Sequence, residues 1–121
     1  MFIKKLTECQ EFTAGDGCTL RELLHPDKAD LEIRYSLAHA KVAIGQKTTP
    51  HILRTSEVYY IMSGTGVMQI NREAHNVAAN SAIYIPPGAT QSIENTGTSE
   101  LEFLCIVDPA WQESDETVLG N

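Results

Sequence analysis

Residues that break regular structure recur along this chain at intervals of roughly eight to twelve, and the segments between them are too short for most helices. Glycine, proline, asparagine, aspartate and serine do the punctuating. That rhythm predicts an all-β sandwich or barrel, with strands near Thr19–Leu24, Ile33–Ala43, His51–Arg54, Glu57–Met62, Gly66–Ile70, Ala74–Ala78, Ala82–Ile85, Gln91–Glu94 and Leu101–Val107. The 121 residues suit a single domain, 1–121, and 42% hydrophobic residues are enough for one core. From about residue 108 the chain reads as a tail, with Trp111 anchoring it to the body and Asp115 and Glu116 in solvent.

Two of these strands conflict with local propensity. Leu20-Arg21-Glu22-Leu23-Leu24 and Leu37-Ala38-His39-Ala40-Lys41 have helix-friendly compositions. Turn chemistry supports the rest: Gly64-Thr65-Gly66 permits a tight connection, Asn71 suits a hairpin after Ile70, and Pro86-Pro87-Gly88 must leave a sheet because proline donates no ladder hydrogen bond.

Charge narrows the class of partner. Nine basic against sixteen acidic residues give a formal charge of -7, a field that repels nucleic acid phosphates and anionic membranes. No apolar run approaches the roughly 20 residues of a membrane span, and Met1-Phe2-Ile3-Lys4-Lys5 lacks the apolar stretch of a signal peptide, so a soluble, cytoplasmic protein is expected. Cys9, Cys18 and Cys105 are odd in number and lack a Cys-x-x-Cys spacing, which points to free thiols.

Two blocks carry the chemistry. The first, 45–64, runs Gly45, His51, Leu53, Glu57, Gly64; the second, 80–95, runs Asn80, Pro86, Pro87, Gly88, Gln91, Asn95. Residues and spacing resemble the cupin family, in particular the small single-domain, mannose-6-phosphate-isomerase-like members. The resemblance implies a cupin double-stranded β-helix, a jelly-roll barrel that is commonly a homodimer, here with Thr19–Leu24 adding to the partner's sheet. In that family a His-x-His pair and a Glu from the first block and a His from the second hold a divalent metal. Leu53 stands in place of the second histidine and Gln91 in place of the third.

Strand alternation places Glu57, Tyr59 and Ile61 on one face and Gln91, Ile93 and Asn95 on another, with His51 and Leu53 sharing a side. The resemblance makes these the inward faces. His51, Glu57 and Gln91 are then the metal candidates for zinc, iron, nickel or manganese, leaving open positions for substrate. Glu57 and Tyr59 are the candidate acid/base residues; His51, Gln91, Tyr59 and His39 are the candidate ligand-binding residues. His39 and His25 could restore the ligand count, or be ordinary buried or surface histidines; His75 should face solvent. Cys105 reads as a small buried hydrophobe, and Arg34 and Arg54 as surface counter-charges.

Two functions stay open beside the blander one of a barrel that serves only as an interaction scaffold. One is a small-molecule-binding cupin with a depleted divalent-metal site, acting on a small polar or anionic metabolite as an isomerase, dioxygenase or decarboxylase. The other is a metal-free ligand-binding or sensing module, with Leu53 in an apolar pocket and Gln91 bonded to the ligand.

Overall fold

The structure is a computed structural model describing residues 1–120. Among the described residues eleven strands build two antiparallel sheets. Glu11–Thr13 (β1), Thr19–Leu24 (β2), Ser36–Val42 (β3), Ser56–Ser63 (β5), Ala82–Ile85 (β8) and Leu101–Asp108 (β10) form one, ordered β1-β2-β3-β10-β5-β8. His51–Leu53 (β4), Thr65–Ile70 (β6), Glu73–Ala78 (β7), Thr90–Asn95 (β9) and Glu116–Val118 (β11) form the other, ordered β11-β4-β9-β6-β7.

Alternation along the strands makes the core. In β10, Leu101, Phe103, Cys105 and Val107 are buried; in β5 it is Glu57, Tyr59 and Ile61, and in β9 Gln91, Ile93 and Asn95. Phe103 packs against Tyr59 with ring centroids 4.5 Å apart, and Ala40, Ile61, Ile93 and Leu101 are fully enclosed around them. Fully burying an aliphatic or aromatic side chain of this size contributes about 1.5–3 kcal/mol. Non-local pairing therefore decides β2 and β3: each is bonded on both sides, and the helix-friendly compositions are overridden. Strand β3 starts at Ser36 rather than Ile33.

The two motif blocks are largely turns and closures. Gly45, Gly64 and Gly88 have φ of 75°, 94° and 80°, and Asn71 and Asn80 also lie at positive φ. Gly66 is needed for a different reason: a Cβ there would sit 2.4 Å from the Glu94 carbonyl oxygen of the neighbouring strand. Asn95 closes the second block from inside. Its amide donates to the carbonyls of Val42 (2.9 Å) and Ser99 (2.8 Å), and its oxygen accepts from Gly97 N–H at 2.9 Å.

Two expectations are corrected. Glu11–Thr13 pairs with β2, so Thr19–Leu24 is an inner strand rather than a free edge for a partner's sheet. The tail is not all irregular: Glu116–Val118 pairs with β4, and Glu116 is half-buried instead of solvated. The arginine expectation holds, with both Arg34 and Arg54 exposed and Arg34 lying 3.4 Å from Asp108.

Candidate functional site

The sheets enclose a cavity of about 280 Å³, close to the lower bound of roughly 300 Å³ for small-molecule pockets. The first sheet supplies Ser36, Ala38, Glu57, Tyr59, Phe103 and Cys105; the second supplies His51, Leu53 and Glu116. The turn between β1 and β2 adds Gly15 and Asp16, and Trp111 closes another side.

Local structure fixes each group. The β1–β2 turn is held by Gly17 N–H donating to Ala14 O (3.0 Å) and by Thr49 N–H donating to Asp16 O (2.7 Å). Asp16 is thereby buried, one carboxylate oxygen accepting from Cys18 N–H at 3.1 Å. The other lies 3.6 Å from His51 Nε2, a charge contact too long for a hydrogen bond. His51 Nδ1 donates to the Thr49 carbonyl at 2.9 Å, which fixes Nε2 as the nitrogen turned toward Asp16.

Across the cavity, Glu57 is 7% exposed and its carboxyl lines the wall, with the Gln91 amide as its polar neighbour. Burial drives its pKa from 4.5 up to about 8; the nearby Gln91 amide opposes the rise, and the charges of Asp16 and Glu116 add to it. Burial thus favours the neutral, protonated form of Glu57 near neutral pH. Burial also lifts Glu116 above 4.5, with the His51 charge pulling the other way. Tyr59 donates its hydroxyl to Gln91 Oε1 at 3.0 Å, and burial holds the phenol in its neutral form, its pKa well above 10. The Cys18 and Cys105 thiols are pushed up by burial in the same way, so both behave as weakly reactive, small apolar groups.

The sequence candidates divide accordingly. His51, Glu57 and Tyr59 line one cavity. Gln91 is directly opposite His51 in the β4–β9 ladder but acts on the wall through Tyr59, and its Nε2 has no partner. His39 does not reach the cavity: it alternates with the core residues Ala38 and Ala40, and its Nε2 donates to Glu102 at 3.0 Å from the outer side of the sheet. His25 is a strap, with Nδ1 accepting from Asp27 N–H and Nε2 donating to the Trp111 carbonyl at 2.7 Å. His75 is exposed.

Asp16, Glu116 and Cys18 escaped sequence reasoning. One signal was present, since Asp16-Gly17 is a hairpin dipeptide that marks the β1–β2 turn. A three-residue strand at Glu116 offers no comparable cue.

The donors do not fit a divalent cofactor. Among the described residues no three His, Cys, Asp or Glu side chains converge as metal ligands. Leu53 puts a methyl-bearing side chain on the wall beside His51, and the Gln91 oxygen is committed to Tyr59.

The chain matches the cupin domain family over residues 38–107. This chain is a cupin. An uncharacterized protein of Methanocaldococcus jannaschii is 41% identical to this cupin over 109 residues, covering 89% of it and 86% of the relative. Among solved structures, the Streptomyces nucleoside dehydratase Pac13 superposes on this cupin with a TM-score of 0.79, at 23% identity, over 98% of this chain and 91% of that one. A Thermotoga maritima protein described as a predicted oxalate decarboxylase gives a TM-score of 0.78 at 23% identity, over 89% and 99% respectively. At such identities these structures support the fold and leave the chemistry to the cavity itself.

Proposed function

We propose that this cupin binds a small molecule inside its barrel through protein groups alone, as a ligand-binding or sensing module rather than through a resident metal. The observation that supports this reading most is the Glu57 carboxyl, almost wholly buried and lining the cavity beside apolar side chains. Taking a carboxyl out of water costs free energy that a polar partner returns. A ligand that bonds to Glu57 recovers that cost, while Leu53, Phe103 and Trp111 cover its apolar part.

Elemental analysis of protein purified without chelator, repeated on His51→Ala, tests the proposal together with native mass spectrometry. Substoichiometric metal in both proteins, with a small molecule retained by the parent, is the expected result. Stoichiometric metal that His51→Ala abolishes would overturn it.

A second reading has its own support. A carboxyl with a pKa of about 8 can give and take protons near neutrality, so Glu57 is equipped to act as an acid/base toward a bound substrate. Recovering the retained molecule chemically unchanged after long incubation favours binding. Its conversion, lost in Glu57→Gln, favours catalysis.

A further inference from the structure

The charge inventory of the cavity runs against an anionic ligand. Its lining contains four carboxyl groups, Asp16, Glu22, Glu57 and Glu116, and among the described residues Lys28 is the one lysine or arginine. Lys28 is already engaged, its ammonium bonded to Glu22. His51 is the remaining basic group, and Asp16 faces it. The other nearby cations are spent elsewhere: Arg21 and Lys41 both pair with Glu11, and neither lines the cavity. A carboxylate or phosphate entering here would lose its hydration beside acids, with no unpaired cation to replace the water.

A positively charged group meets the opposite conditions. It can donate to the buried, cavity-lining Glu57 carboxyl, with Asp16 and Glu116 adding favourable field. Aromatic side chains complete the wall: Phe12, Tyr59, Phe103 and Trp111 all line the cavity, and aromatic faces attract a desolvated cation. The apolar stretch formed by Leu53, Phe103 and Cys105 accepts the uncharged body of such a molecule.

Resting on the binding function proposed above, we infer that the ligand is a small organic cation, an amine carried as its ammonium ion on an apolar or aromatic body. The neutral form of Glu57 gives the reaction a signature. As the ammonium binds, the Glu57 O–H bond breaks, the electron pair stays on the carboxylate and the proton goes to buffer. Asp16, His51 and Glu116, with Cys18, Tyr59 and Cys105, are the titratable groups that face Glu57 from the surrounding strands and turn.

Three probes of nearly one shape test this: benzylammonium, benzyl alcohol and benzoate, titrated calorimetrically into the whole protein at pH 7. Benzylammonium should bind at least tenfold more tightly than the alcohol, with benzoate weakest. Its binding should release close to one proton, read as a heat that differs between two buffers of unlike ionisation enthalpy. In Glu57→Gln the benzylammonium affinity should fall to that of the alcohol and proton release should vanish. Benzyl alcohol binding as well as benzylammonium, or benzoate binding best, would overturn the cationic class while leaving the cavity as a binding site. Binding by none of the three would remove both. The probe ranking needs no variant, so it stands even where Glu57→Gln folds poorly.

Discussion

At the scale of the residue, Glu57 couples protonation to folding. Its folded pKa of about 8 exceeds the ordinary 4.5, so between those values the native protein holds a proton that the unfolded chain has released. Stability is then greatest below pH 4.5 as far as this group is concerned and falls as pH rises toward 8. Each pKa unit is worth about 1.4 kcal/mol, which makes the slope measurable by denaturant titration from pH 5 to 9. Glu57→Gln should flatten that slope and be the more stable protein, relative to the parent, at pH 9. A slope unchanged by the substitution would mean that Glu57 is not the buried acid. The inward facing of Glu57 was legible from period-two alternation, because strand geometry alone settles which side chains share a face. Asp16 and Glu116 were not legible, since each arrives from a segment whose place is set by tertiary contacts: a turn pinned to Thr49 and a short strand pinned to Leu53.

Among the elements, the pairing of β6 with β9 explains why the motif blocks reveal the fold so readily and the chemistry so poorly. Most of their distinctive residues are backbone solutions: Gly45, Gly64, Asn80 and Gly88 supply positive φ, and Asn95 supplies three hydrogen bonds to a bend. Such requirements belong to the architecture whatever is bound. Gly66, just past the first block, meets a stricter requirement of the same kind. Gly66→Ala forces a Cβ against the Glu94 carbonyl oxygen and within 3.1 Å of Leu101, so β6 must move away from β9. A loss of more than about 2 kcal/mol is expected, or failure to fold. Gly45→Ala, where a Cβ meets open space, should cost only the left-handed backbone, about 1–2 kcal/mol. Equal losses for the two in denaturant melts would contradict this assignment of roles.

For the whole molecule, the outer face of the six-stranded sheet is apolar where a monomer has no need of it. Val58 pairs across with Tyr84 on one side and Ile106 on the other, and Tyr60 and Met62 are exposed along the same strand. We propose that the homodimer implied by the cupin resemblance buries this row rather than using Thr19–Leu24 as an added strand. Tyr84 is 62% exposed, so Tyr84→Arg should leave the fold intact and convert a dimer to a monomer in sedimentation velocity. A parent protein that sediments as a monomer would refute it. The strap from His25 to Trp111 and the strand at Glu116 have a practical corollary. Because these late residues form part of the cavity wall, purification handles and fusion partners belong at the exposed Met1 end, and a reporter dye on the segment after Pro109 would sit beside the occupant.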